Sequence, residues 1–94
     1  MAYSLVDVEK RHAENPCTFL IPSRVARDSL RPDDTVKLIF EVDGASERLW
    51  VKVVACFAQG EGYKGVVRNC AIRKSLPQFG DVVSFGAEHV IAVA

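Results

Sequence analysis

From Thr35 to Val42 the chain sets apolar and polar side chains against each other with a period of two. Val36, Leu38, Phe40 and Val42 share one face, Lys37 and Glu41 the other. Successive residues point to opposite sides only in an extended chain, so this stretch predicts a half-buried β-strand. Asp43-Gly44-Ala45-Ser46 then carries the residues of a hairpin turn. Arg48 to Ala58 resumes the alternation, with Leu49, Val51, Val53, Ala55 and Phe57 on one face and Trp50, Lys52, Val54 and Cys56 on the other. A strand apolar on parts of both sides suits a central place in a small barrel or highly curved sheet. The expected core is Val36, Leu38, Phe40, Leu49, Val51, Val53 and Phe57.

The flanking segments are shorter. Ser4 to Glu14 reads as a helix, with Ser4 as cap, Asp7 as the answering carboxylate and a thin stripe of Leu5, Val8 and His12; Asn15-Pro16 ends it. After the extended Cys17–Ile21, Pro22 or Ser23 opens a second short helix through Leu30, with Val25, Ala26 and Leu30 facing inward. Arg31-Pro32-Asp33-Asp34 makes a turn. Gln59-Gly60-Glu61-Gly62 turns the chain into a strand over Tyr63–Cys70, and Ala71 to Gln78 is irregular, with room for a helical turn before Pro77. Phe79-Gly80-Asp81 is a tight turn with Gly80 at positive φ, and Val82–Phe85 and His89–Val93 are the last strands. The sum is an α+β domain spanning residues 1–94: a small, strongly curved antiparallel sheet or partial β-barrel of about five strands, with two short N-terminal helices.

Composition narrows the function classes. Twelve Lys and Arg balance twelve Asp and Glu, which weighs against tight nucleic-acid binding, since that draws on surplus positive charge. The three cysteines, Cys17, Cys56 and Cys70, are odd in number and far apart, with no zinc spacing. They read as small buried apolar residues in a reducing compartment. The N-terminus meets charges at once, without the apolar run of a signal peptide, and no stretch is long enough to span a membrane. The expected location is the cytoplasm, and no cofactor or metal is expected.

Several short motifs follow one another in a recognisable order: Phe19-Leu-Ile-Pro-Ser, Leu30-Arg-Pro-Asp-Asp-Thr-Val-Lys-Leu-Ile-Phe-Glu, Glu47-Arg-Leu-Trp-Val-Lys-Val, Tyr63-Lys-Gly-Val-Val-Arg-Asn, Phe79-Gly-Asp-Val-Val-Ser-Phe and Glu88-His-Val-Ile. This order resembles an uncharacterised bacterial family of small β-rich domains with a tryptophan strand, a Gly-x-x-x-Asn strand and closing Gly-Asp-x-Val and Glu-His motifs. The resemblance implies a fold and a candidate surface but no reaction. One departure is Asp33-Asp34, where such sequences often have Gly-Asp; aspartate tolerates the left-handed backbone better than most residues.

The candidate binding residues are Trp50, Arg68, Asn69, Glu88 and His89. Tryptophan on the less apolar face of a strand serves either as a recognition platform or as packing for an N-terminal helix. Asn69 suits backbone groups at a strand end. Glu88 and His89, adjacent in a strand, would point to opposite faces, so an enzymatic role would need His89 to meet another carboxylate such as Glu41 or Asp81. The competing reading is a ring that ties the chain end to a loop. No serine sits in a nucleophile elbow, and no phosphate loop is present. The leading expectation is a non-enzymatic module that binds another protein or a second copy of itself. The alternatives are a small enzyme using His89 with a carboxylate, and a single-strand nucleic-acid binder using Lys37, Arg48, Lys52, Lys64 and Arg68, with Trp50 and Tyr63 as stacking platforms.

Overall fold

The computed structural model describes residues 3–58 and 61–94. In chain order the elements are β1 (Ser4–Leu5), α1 (Val8–Glu14), α2 (Arg24–Asp28), β2 (Thr35–Val42), β3 (Ala45–Cys56), β4 (Tyr63–Val67), β5 (Val82–Phe85), a 3-10 turn over Ala87–His89, and β6 (Val90–Val93). All strand pairs are antiparallel, in the order β1-β2-β3-β4-β5, with β6 sharing the outer edge of β2. The sheet curls into a half-barrel, giving the α+β architecture that the strand periods predict.

The central hairpin pairs Thr35 with Lys52 through Val42 with Ala45. Its two-residue turn has Asp43 and Gly44 at φ of 50° and 78°, the doubly left-handed geometry whose twist matches the flanking strands. Inside the curl, Val36, Leu38, Phe40, Val51, Val53, Val67 and Val90 are fully buried. Gly65 lets β4 press close to β3: a Cβ there would run into the Val51 side chain and lie 2.9 Å from the Lys52 carbonyl oxygen. A second, smaller cluster forms on the outside of the sheet, where Val6 and Val8 cover Ile39. Leu38, Ile39 and Phe40 are therefore buried in succession, because β2 is covered on both faces at that point.

The N-terminal helices differ from expectation. Ser4 and Leu5 pair with Glu41 and Phe40, and the Val6 N–H donates to the Ile39 carbonyl at 3.0 Å. The edge of β2 beyond the reach of β6 thus takes these residues as a strand, and α1 begins only at Val8. Asp7 is its cap, accepting the Lys10 N–H at 3.1 Å. In α2, capped by Ser23, the inward residue is Arg27, 5% exposed, while Val25 is 75% exposed and Ala26 also faces out. The helix packs on polar groups: Arg27 donates to the Pro22 and Ala87 carbonyls, each at 3.0 Å, and to Glu9 of α1. A buried guanidinium needs partners for its donors, and here Nε and Nη1 find theirs in Pro22, Glu9 and Ala87, which ties α1, α2 and the 3-10 turn together.

A bulge in β3 overturns the far end of that strand's pattern. The pairing slips between Val53, opposite Gly65, and Ala55, opposite Lys64. One extra residue reverses which face each later side chain takes. Phe57, expected in the core, is consequently 47% exposed and lies on the outside with Lys64. All three cysteines are exposed, against the expectation of burial. Each sits just beyond or at the end of an element: Cys17 after α1, Cys56 at the end of β3, Cys70 after β4. The Tyr63 strand ends at Val67, and the segment from Ala71 to Gln78 holds turns without a helix. Asp33 takes the left-handed backbone, with φ of 79°, and still approaches the sheet closely, its N–H donating to the Val53 carbonyl at 2.8 Å. Gln59 and Gly60, from the turn expected before Tyr63, lie outside the described residues.

Candidate functional site

The sheet has two apolar sides but only one complete cover. α1 and its preceding segment shield Ile39, and the rest of the convex face carries a repeated chemistry. One row across the strands runs Lys37, Trp50, Arg68: Lys37 is opposite Trp50, and the Arg68 N–H donates to the Trp50 carbonyl at 2.8 Å. The next runs Thr35, Lys52, Val66, Val82, and Lys64 then pairs with Ser84. Three cations lie over rings on this face: Lys37 on Trp50 at 4.7 Å, Lys64 on Phe57 at 5.9 Å and Arg68 on Phe79 at 5.2 Å. Phe57, Phe79, Val54 and Val82 are exposed beside them. Lys52 meets Asp33 at 3.2 Å. Glu41, on the same face of β2 as Lys37, lies at the end of the strand near α1, 3.7 Å from Arg11. Arg48 is also at that end, across from Ile39.

Trp50, Arg68 and Asn69 come together here. The Asn69 carboxamide oxygen accepts the Trp50 N–H at 2.6 Å, extending the β3–β4 ladder past the last residue of β4. Trp50 is half-buried and joins neither apolar cluster, including the one that α1 forms on Ile39. Tyr63 is buried on the inner face, stacked on Phe85 at 5.4 Å, and offers no platform to a ligand.

Glu88 and His89 form a separate group in the 3-10 turn, which packs on α1 and α2. Because that turn is not a strand, the two side chains face each other, with His89 Nε2 3.9 Å from Glu88. His89 Nδ1 accepts the Gly86 N–H at 2.9 Å. The remaining proton of a neutral ring then sits on Nε2, which leaves no free lone pair for a general base. Of the other carboxylates considered for it, Glu41 holds Arg11 and Asp81 accepts the Gln78 N–H at 2.8 Å.

A depression of about 630 Å³ lies between α2, the end of β3 and the 3-10 turn. Several of its polar groups are already engaged. The Tyr63 hydroxyl donates to the Arg27 carbonyl at 3.0 Å, and burial lifts its pKa above the ordinary value, so it remains a donor. The Cys56 thiol donates to the Leu30 carbonyl at 3.2 Å. Arg24 is shared between Asp28 at 2.8 Å and Glu9 at 3.0 Å, and the Asp28 hydrogen bond holds its pKa above the ordinary value. Among the described residues no three His, Cys, Asp or Glu converge as metal ligands, and no helix is long and apolar enough to cross a membrane.

Phe57, which the alternation of β3 places in the core, belongs to the convex face, as do Phe79 and Val82, which carry no signal of a site in the sequence. Phe79 lies in a turn, and Phe57 reaches the face through a bulge whose only local hint is the apolar pair Val53-Val54. Comparisons with protein-family models, with curated proteins and with solved structures find no match.

Proposed function

We propose that the chain is a non-enzymatic interaction module that binds a protein partner through the convex face of its sheet. The observation that carries this reading is the uncovered face itself, where Trp50, Phe57 and Phe79 are each paired with a cation amid exposed aliphatic side chains. Tryptophan, aromatic and arginine side chains supply most interface binding energy, and the lysines select an acidic surface. A protein is favoured over a nucleic acid on two grounds. The rings on which bases would stack already carry cations, and Val54 and Val82 offer bases nothing to stack on. Kinship with the small bacterial β-rich domains, suggested by motif order, is part of the same proposal and adds no reaction to it.

The test is photo-crosslinking in the source cell, with a benzophenone side chain placed at Phe79 and, separately, at exposed Val25 of α2. The expected result is a discrete protein adduct from position 79 that is absent from position 25. Equal adducts from both positions, or adducts to nucleic acid from position 79, would overturn the reading.

A further inference from the structure

Among the described residues β5 is an open edge, protected by its shortness but by no charge or proline within the strand. Among the described residues it pairs with β4 alone, and Val82-Val83-Ser84-Phe85 contains no charge and no proline. The ladder shows which groups are unused. The Val67 N–H donates to the Asp81 carbonyl, so in antiparallel alternation Gly65–Val83 and Tyr63–Phe85 exchange the next bonds. The N–H and C=O of Val82 and Ser84 therefore face away from β4. Beside them, Tyr3, Ser75, Leu76, Pro77, Asp81 and Val82 line a shallow depression of about 380 Å³, in which the Asp81 carboxylate accepts the Gln78 N–H. On the convex side the nearest cations are Lys64, opposite Ser84, and Arg68, over Phe79.

We infer that β5 receives an extended segment of the protein partner as an added antiparallel or parallel strand, with alternating apolar and acidic side chains. Backbone bonds to Val82 and Ser84 would hold it, its apolar residues would enter the depression by Tyr3 and Leu76, and its carboxylates would meet Lys64 and Arg68. A second copy of the chain fits the edge less well. Pairing two β5 strands would extend one convex face into the other and set like charges on a shared surface. The inference rests on the interaction reading above and adds the mode of binding and the partner's chemistry.

The probe is the peptide acetyl-Glu-Val-Glu-Val-Glu-Val-amide, with its lysine counterpart as control, titrated into the 15N-labelled full chain. The acidic peptide should shift the Val82 and Ser84 amides and slow their exchange, and the lysine peptide should not. Lys64→Glu should weaken binding by about tenfold, and Ser84→Pro, which removes an outward N–H, should abolish it. Val82→Glu repels an acidic strand without touching the backbone and serves if Ser84→Pro fails to fold. Shifts around Trp50 without Val82 and Ser84 would overturn strand addition and leave the convex-face reading in place. So would no shift at all while position 79 still crosslinks to a protein. Val82 and Ser84 shifts that follow protein concentration without peptide would assign the edge to a second copy and overturn the acidic partner.

Discussion

Arg27→Met keeps most of the aliphatic stem of the side chain and removes its charge and its hydrogen-bond donors, which tests what the buried guanidinium does. The wild-type group satisfies the Pro22 and Ala87 carbonyls at 3.0 Å and pairs with Glu9, and its side chain is 6% exposed. Losing one partner of a buried charge pair costs about 3–5 kcal/mol. Glu9 is 32% exposed and regains water, so the lower end, about 3 kcal/mol, applies. For a chain this short each kcal/mol moves the midpoint by about 4–8 °C, which predicts a fall in Tm of about 12–24 °C. In urea the midpoint should fall by about 2–3 M at an unchanged slope near 1–1.5 kcal/mol per M. Arg27→Lys, which keeps the charge but loses the planar fork, should lie between the two. A double-mutant cycle with Glu9→Gln should give a coupling of about 1–3 kcal/mol. A Tm shift below about 3 °C, or a coupling of zero, would refute the view that this cation holds the N-terminal layer to the sheet.

Phe40→Ala removes the largest fully buried side chain and should cost about 3–5 kcal/mol by urea denaturation, with unfolding at room temperature as the extreme outcome. A thiol-counting reagent should find all three cysteines reactive without denaturant, since Cys17, Cys56 and Cys70 are exposed, and a native count of zero would contradict the placement of the element ends. The N–H of Ile72 at 2.8 Å, aided by the N–H and guanidinium of Arg73, holds the Glu47 carboxyl below its usual range. Because the folded value is depressed, the stabilisation is complete above the usual carboxylate range. It shrinks as pH falls below that range and vanishes once pH passes the depressed value. The protection of the Ile72 and Arg73 amides, taken relative to the intrinsic exchange rate at each pH, should therefore fall in acid, and Glu47→Gln should remove that dependence.

The sequence is most legible where periodicity and packing agree. The β2 alternation, the Asp43-Gly44 turn and the positive φ of Gly80 all follow from local rules that tertiary contacts leave undisturbed. Phe57 takes the outer face because a single-residue bulge reverses faces, and the adjacent apolar Val53 and Val54 are a faint local sign of it. Arg27 was missed because its burial depends on Glu9, Pro22 and Ala87, residues that come together only in the folded chain. The convex face was half visible: the period of β3 put Trp50 opposite the core stripe, whereas Phe79 reaches Arg68 from a turn. Whether Trp50 would be covered was a question of where α1 lands, and its docking on Ile39 answers it.

The central claim is an open, cationic face around Trp50, and Trp50 is the one tryptophan of the chain, so its fluorescence reads that face alone. Lys37 Nζ lies 4.7 Å from the ring and Arg68 is bonded to the same backbone segment. Iodide, an anion, should quench Trp50 more effectively than caesium, each normalised to free tryptophan amide. The excess should shrink as ionic strength rises and the screening length falls to about 10 Å at 0.1 M. Lys37→Glu should reverse the preference. Equal quenching by both ions, or stronger quenching by caesium, in the wild-type protein would contradict the account.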